Sequence, residues 1–528
     1  MKHCLIAFLV TLALYAPSSR YALVRIDDTD YIVRNEHMRE GLTADNVRWA
    51  LTNREHSANW HPLTWLSLMA DVSLDRLTNG GRIRPDAEWR NYDSRVAHIM
   101  HAHNVVLHAV NAALLVALAL LVAGKSVSPL WCLLLGLFWS LHPLRVEAVC
   151  WVTERKELLS VMLGLVSTIA YLSKRRFGYV LSLAAFALAL LAKSVVVSLP
   201  VILVAWDFIY GGRIRWRRML PYFALAAVAS HMTAHAQAEA IAAGAAIPMS
   251  ARLAAILGGP VSYLRQTVWP VGLSPCYEMT TSYDIPLMLS GVVLLALMAW
   301  ACLRWLRRRG GLEGVAAFAV AWCYVGLVPM IGIVKAGTDE HSDRFTYWAW
   351  CGLSVSAVLL LRWLAPRKQA IAVRLSGATN ASVAELRRYA LGGLAGLVLV
   401  FACLTWQRMS YWRDTVTLLR DAVPKSWIPN VASVLAVTLR EERGEAAAAE
   451  GERMLRNCVT RYNTCEANIE LAAFLLEKPR AVSAWERQDG TAYAEEEFLL
   501  ESALAAEPDN ERAKKLMEIL KKSKAKLK

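Results

Sequence analysis

Apolar residues in this chain fall in long blocks. Blocks of near-spanning length, almost free of charge, lie at about 4–18, 102–123, 129–143, 157–172, 178–192, 194–210, 219–236, 285–303, 314–334, 345–364 and 389–405. A helix needs roughly 20 apolar residues to cross a bilayer, and several blocks reach that only with their flanks, so the pattern predicts an all-α membrane bundle of about 11 transmembrane helices. The first block also has the layout of a secretory signal, with Lys2 ahead of a short apolar stretch ending in Ala16-Pro17-Ser18-Ser19. Either way, the chain that follows emerges on the outer side.

Three segments fall outside the blocks. A large loop at about 21–97 separates the first two crossings. A stretch at 237–284 carries an apolar piece, Leu253–Leu264, before Trp269-Pro270; it must return to the side it left, which predicts an interfacial or re-entrant helix. The chain divides into a transmembrane domain, 1–405, and a hydrophilic tail, 406–528, rich in Ala, Glu, Arg and Leu and therefore helical. Within the tail, Ala492-Tyr493-Ala494-Glu495 and Ala503-Leu504-Ala505-Ala506-Glu507-Pro508-Asp509-Asn510 followed by Ala513 have the punctuation of a tetratricopeptide (TPR) helix pair. An irregular helical domain is the alternative.

Composition agrees with the blocks. At 528 residues, 56% hydrophobic and only 19% charged, the chain is too apolar for an all-soluble or disordered protein. The net charge of +14 invites a nucleic-acid partner until its location is read. Arg175-Arg176, Arg213 to Arg218 and Arg304 to Arg309 lie in loops without an acid, whereas alternate loops are mixed in sign, as in Arg145, Glu147, Glu154, Arg155, Lys156, Glu157. By the positive-inside rule the basic loops are cytoplasmic, which puts the N-terminus inside and the tail outside. The charge reports topology, and no nucleic acid is expected.

Candidate chemistry gathers on the outer side. Arg25-Ile26-Asp27-Asp28-Thr29-Asp30 sets three carboxylates within four residues, a group that either binds a cation or raises one pKa to suit a general base; a solvated turn is the plain alternative. Asn59-Trp60-His61-Pro62 places a histidine among interface aromatics. His142-Pro143-Leu144-Arg145-Val146-Glu147 and Glu154-Arg155-Lys156-Glu157 crowd one short link, and Thr338-Asp339-Glu340-His341-Ser342-Asp343-Arg344 stands at the tenth block. Arg155 and Lys156 have the chemistry to hold a phosphate, and Arg344 sits where it could reach a lipid phosphate; pairing with neighbouring acids is the competing role. His231, His235 and Glu239, and His98 with His101, His103 and His108, have ligand-capable spacing but lack further partners. Cys458 and Cys465 could be bridged only if Asn463 breaks the helix between them. No P-loop, dinucleotide fingerprint or nucleophile elbow is present.

Taken in order, these pieces resemble the polytopic GT-C glycosyltransferases, in the protein O-mannosyltransferase-like branch with tetratricopeptide tails. The matching pieces are Asp27-Asp28; Gly41-Leu42-Thr43 through Val47-Arg48-Trp49-Ala50; Asn59-Trp60-His61-Pro62-Leu63-Thr64-Trp65; His103-Asn104 with His108; His142 to Val149; Glu154 to Leu159; Tyr263-Leu264 with Trp269-Pro270; and Asp343-Arg344-Phe345-Thr346-Tyr347. The resemblance implies a multi-pass protein of the bacterial inner membrane that takes a sugar from a polyprenyl-phosphate donor to a hydroxyl on a protein or glycan acceptor. It makes Asp28, or Asp27, the base; Arg155, Lys156 and Arg344 the stabilisers of the leaving phosphate; Glu147 and His142 the groups that orient the acceptor or an optional divalent ion; and His61 part of the substrate site. The tail would recruit the acceptor or a partner. Two other readings compete: a non-catalytic scaffold working through its tail, and a transporter, which would carry its ionisable groups at mid-membrane.

Overall fold

A computed structural model describes residues 1–173, 175–245, 247–277, 284–308, 311–331, 341–367, 380–477, 486 and 492–526. Helix is the only regular structure among them. That follows from the composition, since backbone groups in apolar surroundings must be paired within their own segment. The chain divides into two compact units, the first running to Arg413 and the second made of the residues from Asp414 onward, with Cys276 and Tyr277 grouped with it.

The main helices of the first unit are α1 (Lys2–Tyr15), α2 (Pro62–Thr78), α3 (Arg95–Ala123), α4 (Pro129–Ser140), α5 (Arg155–Leu172), α6 (Gly178–Ala192), α7 (Leu199–Ile209), α8 (Trp216–Ala236), α9 (Met249–Val268), α10 (Ile285–Arg308), α11 (Leu312–Leu327), α12 (Cys351–Leu364) and α13 (Asn380–Ser410). Among the described residues, four segments are long and apolar enough to cross a membrane: Lys2–Arg20, Arg95–Ala123, Ile285–Leu306 and Glu385–Ser410. Two bent pairs bring the number to six. One joins α4 to Pro143–Cys150 at 58°, the other joins Asp343–Ala349 to α12 at 41°.

The apolar blocks therefore do not map one to one onto straight spanning helices. The block at 129–143 stops at Ser140 because Pro143 cannot continue it. Gly178–Ala192, Ser194–Ile209 and Leu312–Leu327 are apolar but short. The piece Leu253–Leu264 lies inside α9, one continuous 20-residue helix, where a re-entrant hairpin would need a break.

The segment at 21–97 is folded. Tyr31, Trp65, Met69, Trp89 and Met100 bury a common core, and the charged stretch after α2 is tied down by Arg84, whose Nε and Nη2 donate to Asp75 at 2.8 and 2.9 Å. Deeper in the bundle, His108, Asn111 and Trp139 converge on Tyr347. His108 Nδ1 and Asn111 Nδ2 lie 2.6 and 3.1 Å from its hydroxyl, and Trp139 Nε1 donates to its carbonyl at 3.3 Å. These bonds fix the turn that carries Arg344. At Gly164, α5 comes so close to its neighbours that a Cβ would meet Val196 Cγ1 at 3.0 Å and Trp348 at 3.3 Å.

The second unit holds α14 (Thr415–Ser426), α15 (Pro429–Arg443), α16 (Glu445–Tyr462), α17 (Cys465–Leu476), α18 (Ala494–Ala506) and α19 (Glu511–Ala525). Side-chain caps start several of them: Asp414, Thr464 and Asn510 accept from the amides of Thr417, Ala467 and Ala513 at 2.7, 3.2 and 3.1 Å. Asn463, at φ +44°, breaks the chain between α16 and α17. Cys458 and Cys465 are nevertheless not joined by a disulfide, Cys458 lying against the Trp427 carbonyl and Cys465 against Asn510.

Candidate functional site

Glu154 is the hub of a cluster of charges. It ends a short turn, Val152–Glu154, just ahead of α5, and that turn is held from two sides. Asn104 Nδ2, on α3, donates to the Trp151 carbonyl at 3.1 Å. Asp28 accepts from the Thr153 amide at 3.0 Å and from the Thr153 hydroxyl. The Glu154 carboxylate is buried, with Oε1 3.2 Å from Lys156 Nζ and 3.3 Å from Arg344 Nε, and Oε2 3.1 Å from Lys193 Nζ. Burial by itself favours the protonated acid. The three cations outweigh it and hold the carboxyl well below the usual range.

Each cation has a second acid. Lys156 Nζ stands 3.5 Å from Asp27, Lys193 Nζ is 2.9 Å from Glu157, and Arg344 pairs with Glu147 through its guanidinium and through its amide at 3.3 Å. Arg344 also lies over the Trp151 ring, and Lys156 over the Tyr31 ring. Five parts of the sequence meet here: the 27–31 turn, His61 at the start of α2, the 147–157 link, the corner at Lys193 and the 343–346 turn.

His61 is buried with Nδ1 3.4 Å from the Tyr31 hydroxyl. Burial, with Lys156 and Lys193 nearby, pushes its pKa well down, so the imidazole is neutral. Tyr31 in turn stacks on Trp65 at 4.4 Å. Of the seven charged groups Asp27, Glu147, Glu154, Glu157, Lys156, Lys193 and Arg344, Asp27 is by far the most open, with 42% of its side chain exposed.

Three predicted site residues have other work. Asp28 is wholly buried; besides Thr153 it accepts from the Val24 amide at 3.0 Å, and burial lifts its carboxyl to about 6. It ties the 24–28 turn to the 153 turn and is sealed from any acceptor. Arg155 points away from Lys156, as a helix turn of about 100° per residue requires. Its donors are taken by Asn104 at 2.6 Å, Ser67 at 3.1 Å and the Met100 carbonyl at 2.6 Å, with Asp71 at 2.7 Å. The side chain is wholly buried among these groups, turned away from the Glu154 cluster. His142 has Nε2 on the Thr267 carbonyl at 3.0 Å, and its Nδ1 accepts from the Leu144 amide at 3.2 Å. It packs on Phe401 and orients no acceptor.

The histidine patterns do not assemble a metal site. His98, His101, His103 and His108 bond separately to Asp93, the Ala22 carbonyl, Asp71, and Tyr347 with Ser140. His231 and His235 are exposed, and the Glu239 side chain lies outside what the structure describes. Among the described residues no three His, Cys, Asp or Glu side chains converge, and the cluster carboxylates face cations instead. The described residues do not fit a divalent ion. Thr338-Asp339-Glu340 also lies outside the described residues.

Sequence reasoning missed Lys193 and the central place of Glu154. The available signal for Lys193 was a lone cation between two apolar blocks, a costly placement that calls for a partner.

Within the first unit, an apolar cavity of about 200 Å³ is lined by Pro260, Leu264, Leu294, Met298, Tyr324 and Trp350 among others. Tyr263, next to Leu264, exchanges hydrogen bonds of 3.2 Å with the Ser342 backbone, two residues from Arg344. Along the chain, Leu264 and Trp350 of this chamber thus lie one residue from Tyr263 and six from Arg344.

No known protein-family model matches the chain, and no curated protein does either.

Proposed function

We propose that this chain is a GT-C-type membrane glycosyltransferase that transfers a sugar, with inversion, from a polyprenyl-phosphate donor to a hydroxyl of a protein or glycan acceptor. The observation that carries this reading is the set Lys156, Lys193 and Arg344 drawn onto Glu154 beside the half-exposed acid Asp27. Preorganised cations stabilise a leaving phosphate, and an open carboxylate beside them is placed to take a proton.

In this mechanism Asp27 removes the proton of the acceptor hydroxyl. The acceptor oxygen bonds to the anomeric carbon from the face opposite the phosphate, the bond from that carbon to the phosphate oxygen breaks, and polyprenyl phosphate leaves with the electron pair. Lys156 and Arg344 hold its charge. Neutral His61 and Tyr31 back the cluster, and the apolar cavity lined by Leu264 and Trp350 takes the first part of the lipid tail. Glu147 sets the Arg344 guanidinium. The reading places the chain in the bacterial inner membrane with about 11 crossings, the N-terminus cytoplasmic, the cluster on the outer face and a TPR-like tail outside that recruits the acceptor.

The competing reading is a scaffold whose charges pair only with one another, and the carboxylate partner of every cluster cation speaks for it. Purified protein incubated with polyprenyl-phosphate sugars and a hydroxyl acceptor decides. Release of polyprenyl phosphate with glycosylated acceptor is expected, and Lys156→Met should abolish it. No product with any donor would favour the scaffold.

A further inference from the structure

Lys193 reaches the cluster from the corner after α6, and that corner is fixed. Ser160 Oγ donates to the Lys193 carbonyl at 2.8 Å, and Thr64 Oγ1 donates to the Ala192 carbonyl at 2.9 Å. Its ammonium bridges Glu154 and Glu157. Glu154 therefore divides its oxygens, one to Lys193 and the other to both Lys156 and Arg344. The last torsion of a glutamate is broad and turns easily. Without a cation on Oε2, the carboxylate is free to turn and divide its two oxygens between Lys156 and Arg344, and their pairing on Oε1 alone is lost.

A carboxylate at the centre of an anion-binding site has two opposed effects. Its charge weakens the field that attracts a phosphate. Its geometry sets two cationic nitrogens side by side on one oxygen, the spacing at which they can grip two oxygens of a single phosphate. We propose that geometry wins: Glu154 and Lys193 are positioning residues of the donor site, Lys193 aiming Glu154 and Glu154 holding Lys156 and Arg344 as a paired grip. Neither touches the ligand. This deepens the glycosyltransferase reading and rests on it.

The test is equilibrium binding of farnesyl phosphate, a short polyprenyl phosphate, to the full-length protein in detergent, with folding checked by thermal melting. Wild type is expected to bind. Glu154→Gln removes a negative charge, yet should weaken binding about tenfold, as should Lys193→Met. Lys193→Arg should bind within about threefold of wild type, since it keeps a cation on Glu154 Oε2. Tighter or unchanged binding by folded Glu154→Gln overturns the proposal. If that variant does not fold, Lys193→Met decides: a lower melting point with unchanged affinity marks a merely structural lysine and overturns it equally. A wild type that does not bind farnesyl phosphate overturns the donor reading and the positioning role together. A wild type that binds, with Glu154→Gln tighter, overturns the positioning role alone.

Discussion

Asp27 and Asp28 are neighbours in the chain with opposite surroundings. Asp28 is sealed beneath Thr153 and the Val24 amide, while Asp27 faces solvent and meets Lys156 Nζ at 3.5 Å. Asp27→Asn should reduce sugar transfer by about 100-fold or more with a nearly unchanged melting temperature. Asp28→Asn should instead cost about 1–3 kcal/mol of stability at acid pH, because the amide NH2 sets a donor against the Val24 N–H where an acid oxygen accepts. Transfer assays paired with melting curves separate the two. Full activity in Asp27→Asn would remove it as the base.

Asp28 also imposes a pH dependence. Burial raises its carboxyl from 3.8 to about 6 in the folded protein, so the folded state holds the proton more tightly than the unfolded chain. That contribution is fully present below about pH 4 and is lost as pH rises through about 6. Its size is on the order of 3 kcal/mol. The stability gap between wild type and Asp28→Asn should therefore narrow from pH 4 to pH 7, read from melting temperatures. A gap that widens with pH would contradict the burial argument.

Lys156 is shared between Asp27 and any phosphate that enters. Asp27→Asn should bind farnesyl phosphate about fivefold more tightly, the size of one partly exposed charge pair. Asp30→Asn, whose carboxylate pairs with exposed Arg34, should leave binding unchanged. Equal effects from the two variants would mean a general loss of negative charge and no competition for Lys156.

Arg155 and Lys156 should fail in different assays. Arg155→Met leaves Asp71 buried with one cationic partner fewer, a loss of about 3–5 kcal/mol visible as a low folded yield. The farnesyl phosphate affinity of the folded fraction should match wild type. Lys156→Met should fold and lose affinity.

In the second unit, Gly451 on α16 lies so close to α15 that a Cβ would fall 2.3 Å from Ala436 Cα. Gly451→Ala raises helix propensity by about 1 kcal/mol, but should destabilise by about 1–3 kcal/mol through that contact. A melting temperature above wild type would show that α15 and α16 can separate freely.

Helical character, the tail and the charge clusters were all legible in the sequence, because composition and block length set them locally. The pairings were not. Asp27 and Asp28 carry the same chemistry at adjacent positions, and only the fold decides which one Thr153 covers. Arg155 and Lys156 differ by one step of a helix, enough to send one inward to Asn104 and the other to Glu154. Lys193 read as a gap between two crossings, since its partners lie 36 and 39 positions away in the chain. The count of crossings depends on bends such as the one at Pro143, which a hydropathy pattern passes over.

The chamber lined by Leu264, Met298 and Trp350 is small beside a long isoprenoid. At about 200 Å³ it would, on the proposed function, enclose only the isoprene units nearest the phosphate and leave the remainder of the chain among the membrane lipids. Such a site would read the head of its lipid and ignore the length. Carriers of different chain length would then serve equally well, and the choice among donors would fall to the sugar.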